Sequence, residues 1–168
     1  MKKTLIKINE LVELGIVEKY AIAGGMAHFY YIEPSVTYDL DLIVQIPGKE
    51  NILNPLGAIY SWAKQNKFQL DGEHIIIEGI PVQFLLAYND MVMEALVNAD
   101  EIKLFDENTY ILKAEYLMGM MIQTGRMVDK ERLSRFISES EYDKPFLQSL
   151  LLKYNLIDIY KKITNEIQ

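Results

Sequence analysis

The sequence predicts an α/β (α+β) fold in which strands and helices mix over the first two thirds of the chain and helices fill the last third. Short strand-like apolar runs, bounded by glycine or proline, recur up to about residue 112. Helical stripes of apolar residues separate these runs, and four helical patterns follow from Lys113 onward. We therefore expect a small mixed sheet flanked by helices over residues 1–112. A C-terminal helical part, residues 113–168, should pack on it to give a single compact unit.

The first elements follow from local pattern and turn residues. Apolar residues at helical spacing, from Leu5 to Ile16, predict an amphipathic helix. The segment KYAIAGG predicts a buried strand that runs into two glycines, and MAHFYYI predicts a short helix that ends before Pro34. The segment TYDLDLIVQI predicts the next strand, and a stripe from Ile52 to Ala63 predicts another helix.

Three further strands and a helix are predicted in the middle of the chain. FQL, EHIIIE and PVQFLLAY are strand-like, and Gly79 between the last two predicts a hairpin. DMVMEALVNA predicts a helix with Asp90 as its N-cap. EIKLFDENTYIL predicts two short strands around a turn, after which four helices follow. Their segments are AEYLMGMMIQTGR, DKERLSRFISE, DKPFLQSLLLKYN and LIDIYKKITNEIQ.

Composition excludes several classes of site. The 168 residues contain no cysteine, which rules out disulfides, thiolate catalysis and cysteine-ligated zinc. The net charge of −7 gives no overall basic surface for long nucleic acid or anionic membrane, but it does not exclude a local basic cleft. No apolar run has the length of a bilayer span. The first residues start like a signal peptide, but Lys7, Asn9 and Glu10 interrupt the apolar core that such a peptide needs. We expect a cytoplasmic protein with no membrane partner.

Two aspartates inside a strand-like run are the main candidates for chemistry. Side chains alternate along a strand, so Leu40, Leu42 and Val44 should face the core, whereas Asp39, Asp41 and Ile43 should face the other way. The two carboxylates would then lie roughly 6–7 Å apart on one face. Like charges at that separation repel, and a divalent cation removes the cost. A carboxylate pair on a solvated sheet face is the plainer alternative.

Two glycines precede this strand. A strand that ends at Gly24-Gly25 and opens a helix presents bare backbone N–H groups to an anion. A tight strand-to-helix turn is the alternative interpretation. Together, the glycine pair and the later aspartate pair predict a phosphate cradle beside a metal site.

The segments IAGGMA and TYDLDLIV resemble the signature of the nucleotidyltransferase superfamily with the polymerase-beta-like fold. Later segments, including GIPVQFLLAYND and AEYLMGMMIQTGRMVD, resemble small bacterial proteins related to the abortive-infection toxin nucleotidyltransferases; the likeness covers residues from about 4 to 138. It implies transfer of a nucleotide monophosphate from a triphosphate to a hydroxyl of a protein, an RNA or a small molecule. Asp39 and Asp41 would be catalytic and hold Mg²⁺ or Mn²⁺, and Gly24, Gly25 and Thr37 would bind the nucleotide. A cognate toxin or antitoxin partner, or a phage-defence role, is implied as well.

The sequence departs from the family pattern at several charged positions. The strand expected to carry a third carboxylate has Gln83, and an amide is a weaker Mg²⁺ ligand and a poor base. Ser35, Met121 and Val128 stand where relatives often have an arginine or a lysine. Arg126 matches the pattern and could contact phosphate or pair with Asp129. A catalytically degenerate nucleotide binder or a partner-binding regulator therefore stays an alternative.

Overall fold

The structure is a computed structural model that describes residues 1–32, 39–48 and 53–167. Within these ranges it contains eight helices and seven strands. The helices are α1 (Lys2–Glu13), α2 (Gly24–Tyr31), α3 (Gly57–Gln65), α4 (Asp90–Val97), α5 (Ala114–Thr124), α6 (Met127–Glu139), α7 (Lys144–Lys153) and α8 (Ile157–Ile167). The strands are β1 (Lys19–Ile22), β2 (Leu40–Gln45), β3 (Gln69–Asp71), β4 (His74–Ile77), β5 (Ile80–Leu86), β6 (Asp100–Leu104) and β7 (Glu107–Ile111).

The strands form one mixed sheet in the order β3-β4-β5-β2-β1-β7-β6. β2 lies at its centre, antiparallel to β1 and parallel to β5. The outer strands form two hairpins, β3–β4 and β6–β7. The β6–β7 hairpin joins the sheet through parallel pairing of β7 with β1. The predicted mixed sheet and its flanking helices are therefore confirmed.

The central strand is buried more completely than the alternation of its residues predicts. Leu40, Leu42 and Val44 are fully buried as expected, but Ile43 is fully buried too. Both α2 and α4 pack against β2. A central strand that is covered on both faces typically consists of a continuous apolar run. The face that carries Asp41 is therefore buried farther along the strand, at Ile43.

Three local boundaries differ from the sequence predictions. The N-cap of α4 is Asn89 and not Asp90, because the Asn89 side chain accepts a hydrogen bond from the backbone N–H of Val92 at 2.9 Å. Helix α2 begins at Gly24, within the glycine pair. Helix α1 ends at Glu13, so Ile16 lies beyond it.

The C-terminal helices form a layer around α5. Helix α5 packs against α6, α7 and α8, and it also contacts α4. A Cβ atom placed on Gly119 would lie 3.1 Å from the Met91 sulfur and 3.2 Å from a Leu150 methyl group, so the helices approach closely at this glycine. Among the described residues, none of the helices combines the length and the apolar character needed to cross a bilayer.

Candidate functional site

Three polar side chains lie side by side where β2, β5 and β4 run next to one another. Asp41 on β2 is the register partner of Gln83 on β5, and Gln83 is the partner of His74 on β4. Side chains of directly paired residues project from the same face of a sheet. Asp41, Gln83 and His74 therefore form a row across this face.

The Asp41 carboxylate lies directly against the glycine pair. A Cβ atom on Gly24 would sit 2.6 Å from Cγ and 2.8 Å from Cβ of Asp41, and closer still to Oδ2. Gly24 also has a φ of +56°, which side-chain-bearing residues rarely adopt. Position 24 therefore requires glycine for two reasons: the first residue of α2 has a left-handed backbone, and the Asp41 carboxylate occupies the space of a side chain.

Asp41 caps the first turn of α2 from the neighbouring strand. Its backbone carbonyl accepts a hydrogen bond from Ala23 N–H at 2.9 Å, and its carboxylate accepts one from Gly25 N–H. Ala23, the residue at the N-cap position, contributes no side-chain cap. The Asp41 carboxylate therefore interacts with the positive end of the α2 dipole, as an anionic ligand would.

Burial is the main reason that the pKa of Asp41 is raised above its ordinary value, and the negative charge of Asp39 raises it further. The Gly25 N–H, His74 and Arg132 act in the opposite direction without overcoming these effects. Asp39 thus acts on Asp41 as a like charge two residues away along the chain. A cation placed between them would favour the ionised form.

An ion pair with a buried carboxylate lies at the start of α6. Arg126 donates from Nε to Oδ2 of Asp129 at 2.7 Å and from its amino group to Oδ1 at 3.2 Å. The Thr124 hydroxyl also donates to Oδ2 at 2.7 Å. Burial alone would raise the pKa of Asp129, but the bonds from Arg126 and Thr124 outweigh it and hold the pKa below its ordinary value. The predicted pairing of these two residues is confirmed.

Two arginines in this region, Arg126 and Arg132, act electrostatically on Asp41. The Arg126 side chain is 68 % exposed although its guanidinium holds Asp129. The hydrogen bonds to Asp129 are the main reason that the pKa of Arg126 is raised, and the negative charge of Asp41 adds to the effect. Arg132 acts on both Asp41 and Asp129. Sequence reasoning missed Arg132, since its proximity to Asp41 depends on where the fold places α6.

His28 links helix α2 to α6. It is 2 % exposed, and its ring meets that of Phe136 edge-on at 5.2 Å between centroids. Burial lowers the pKa of His28, and the guanidinium groups of Arg132 and Arg135 lower it further. His28 is thus a packed helix residue, buried between α2 and α6.

A carboxylate that sequence reasoning missed lies beside Gln83. Gln83 Nε2 donates a hydrogen bond to Glu73 Oε2 at 2.6 Å. Glu78, the other acid of this hairpin near β5, lies in the β4–β5 turn at the other end of β4. The hairpin register could have revealed Glu73, because it directly precedes the partner of Gln83.

The described residues bring together most of the predicted site. Gly24, Gly25, Asp39, Asp41 and Gln83 lie around one end of β2. The predicted nucleotide contact Thr37 falls outside the described residues, as does Ser35, which departs from the family pattern. Within residues 1–32, 39–48 and 53–167, no three His, Cys, Asp or Glu side chains are grouped as metal ligands. The side chains that could hold a cation here are the aspartate pair and the neutral amide of Gln83.

A separate cavity of about 530 Å³ is lined by Tyr31, Lys113, Tyr116, Phe146 and several acidic residues. Its acids are already engaged in part: Glu115 accepts a 2.6 Å hydrogen bond from Asp143 N–H, and Asp100 pairs with Lys113 at 3.4 Å. None of the candidate site residues lines it. We therefore place the candidate site at the aspartates.

Comparison with known proteins identifies the fold. The chain is similar to the crystal structure of an antigenic nucleotidyltransferase-like protein from Paracoccidioides brasiliensis, with a TM-score of 0.57 and 15 % sequence identity. The match covers 96 % of this chain and 88 % of the other. No protein-family model matches the chain, and no curated protein is similar enough in sequence to count as a match. This likeness shows a nucleotidyltransferase-like fold over nearly the whole chain.

Proposed function

We propose that the protein is a metal-dependent nucleotidyltransferase that moves a nucleotide monophosphate from a nucleoside triphosphate to a hydroxyl group. The observation that carries the proposal is the position of the Asp41 carboxylate, which lies beside Asp39 and against the Gly24-Gly25 backbone. The nucleotidyltransferase-like fold supports the same class of protein. The acceptor hydroxyl would belong to a protein, an RNA or a small molecule.

The side chains at this site suit a hard divalent cation. Asp39 and Asp41 offer carboxylate oxygens, which Mg²⁺ and Mn²⁺ prefer, and the raised pKa of Asp41 reflects burial and repulsion that a cation would relieve. When bound, the ion would neutralise the pair and stabilise negative charge on the reacting phosphates. The two aspartates are therefore the proposed metal ligands.

The chain's own donors would hold the triphosphate. The Gly25 N–H at the start of α2 donates to the Asp41 carboxylate, and this helix end favours a phosphate oxygen for the same electrostatic reason. Arg126 and Arg132 act electrostatically on Asp41, and the Arg126 side chain is 68 % exposed. Thr37 remains a predicted nucleotide contact. These groups would fix the α-phosphorus in line with the incoming hydroxyl.

A second candidate is a nucleotide binder without turnover. In the proposed transfer the acceptor oxygen bonds to the α-phosphorus, pyrophosphate leaves, and the hydroxyl gives up a proton. The strand next to Asp41 presents Gln83, whose neutral amide cannot accept that proton. This neutral residue favours the non-catalytic alternative, in which the site binds the metal–nucleotide complex for regulation.

The resemblance to abortive-infection toxin nucleotidyltransferases carries a narrower proposal. It suggests a role in a toxin–antitoxin or phage-defence pair, with a cognate toxin or antitoxin as partner. Co-expression with neighbouring genes, scored by growth and by co-purification, tests this role separately from the chemistry.

Binding and transfer assays together distinguish the two candidates. Calorimetric titration of ATP and GTP, with and without Mg²⁺, should show Mg²⁺-dependent binding that is lost in Asp39→Asn and Asp41→Asn. Asp71→Asn, on the exposed strand β3, is the matched control and should bind normally.

Labelled triphosphates and cell extract then test transfer. Retention of the α-phosphate label without the γ-phosphate label supports nucleotidyl transfer, because a kinase would give the reverse. Mg²⁺-dependent binding with no label transferred favours the non-catalytic candidate. Failure to bind any triphosphate would overturn both.

A further inference from the structure

We infer that Glu73 is a positioning residue that turns the amide oxygen of Gln83 toward the cation proposed at Asp39 and Asp41. The inference rests on the proposed function, since it concerns the same cation. It assigns a role to a residue of the β3–β4 turn that the sequence pattern did not single out.

The strand register brings Gln83 to the edge of the aspartate site. Gln83 is the direct partner of Asp41 in the parallel pairing of β5 with β2, so the two side chains share a face. The Gln83 side chain is half-buried there. It is the neighbouring side chain on β5 that would meet a cation held by Asp41.

The hydrogen bond to Glu73 fixes which atom of the Gln83 amide, Nε2 or Oε1, faces Glu73. An ionised carboxylate only accepts hydrogen bonds, so Gln83 must present Nε2 to Glu73, as it does at 2.6 Å. The amide oxygen takes no part in this bond and is left to accept from, or coordinate, another partner. Mg²⁺ binds amide oxygens and not amide NH₂ groups, so this orientation is the one that supports cation binding.

The location of Glu73 argues for this role over a packing role. Glu73 is exposed and follows Gly72, whose φ of +58° forms the tight β3–β4 turn. The next residue, His74, is the register partner of Gln83, so the turn delivers the carboxylate directly to the amide. Residues that orient a metal ligand typically change metal affinity by about 10- to 100-fold.

Reversing the hydrogen-bonding character of residue 73 tests the inference. Lysine only donates, so Glu73→Lys should draw the Gln83 oxygen to itself and turn the NH₂ group toward the cation. We expect Mn²⁺ affinity, measured by paramagnetic resonance, to fall about 10- to 100-fold. Asp71→Lys applies the same charge change within the same hairpin and should alter affinity far less. The double variant Glu73→Lys, Gln83→Glu should recover binding, because a carboxylate has one oxygen for each partner.

A second readout follows the amide itself. In the wild-type protein, Mg²⁺ titration should shift the side-chain carbonyl carbon resonance of Gln83, and Glu73→Lys should abolish that shift. Unchanged Mn²⁺ affinity in Glu73→Lys, or an equal loss in Asp71→Lys, would overturn the inference and leave the proposed function intact. Absence of Mn²⁺ binding by the wild-type protein would overturn the proposed function as well.

Discussion

The carboxylate of Asp41 occupies the space that a side chain on Gly24 would need. A Cβ atom at position 24 would lie 2.6 Å from Asp41 Cγ, although the two residues are far apart in sequence. The contact couples the start of α2 to the middle of the sheet. Position 24 therefore controls both the backbone at the start of α2 and the position of the carboxylate.

Replacing Gly24 with alanine should destabilise the protein and displace Asp41. The left-handed backbone alone costs an alanine about 1–2 kcal/mol, and the overlap with Asp41 adds to that cost. Gly15→Ala is the matched control, because Gly15 has a similar φ of +67° and a Cβ atom there would meet nothing within 4 Å. Urea unfolding should show a larger loss for Gly24→Ala, and equal losses would contradict the contact.

Asp41→Asn should stabilise the fold at neutral pH while removing Mg²⁺-dependent nucleotide binding. Burial and Asp39 raise the pKa of Asp41, so wild-type stability falls as pH rises from the ordinary carboxyl pKa to the raised one. Asparagine keeps an oxygen for Gly25 N–H without the charge. The unfolding free energy of Asp41→Asn should exceed that of the wild type at neutral pH, and this difference should disappear when the pH is below the ordinary carboxyl pKa. A variant less stable than wild type at neutral pH would contradict the pKa direction.

Asp129→Asn should show the opposite pH dependence. Bonds from Arg126 and Thr124 hold the pKa of Asp129 below its ordinary value, so its contribution is present above the ordinary carboxyl pKa and is lost as pH falls through the lowered one. We expect a loss of about 1.5 kcal/mol at neutral pH, at the low end for charged hydrogen bonds because Arg126 is exposed. Chemical unfolding at several pH values measures it. A loss that persists at low pH would point to a cause other than charge.

Asn89→Ala should cost about 1 kcal/mol, as the loss of a helix N-cap does. The Asn89 side chain satisfies the Val92 N–H and also donates to Gln123 on α5 at 2.8 Å. Asp90→Ala, at the position that the sequence indicated, is the control and should cost less. Thermal unfolding of the two variants measures the two losses of stability. A larger loss for Asp90→Ala than for Asn89→Ala would show that Asp90 is the N-cap.

Local signals were sufficient for most elements and for half of the site. Gly79 marks the β4–β5 hairpin, and counting back from the Ile77–Ile80 pair places His74 opposite Gln83. The pairing of Asp41 with Gln83 is different, because it depends on which distant strands become neighbours. Sequence patterns report burial and turns but not strand order.

The same distinction applies to charge. The clustering of acids at Asp39 and Asp41 is visible in one short stretch of sequence, whereas the field of Arg132 depends on the packing of α6. The cap of α4 was misassigned by one residue, since Asn89 and Asp90 are both good caps and only the extended backbone of Asn89 distinguishes them.

The β3–β4 hairpin lies at one end of the sheet, outside the central group of β5, β2 and β1. β3 is exposed along its whole length. Substitutions there change little of the core, so evolution can vary Glu73 and its neighbours at small cost to folding. The affinity of the proposed cation site can therefore be retuned, or abandoned and regained, from the periphery while the aspartate strand stays fixed.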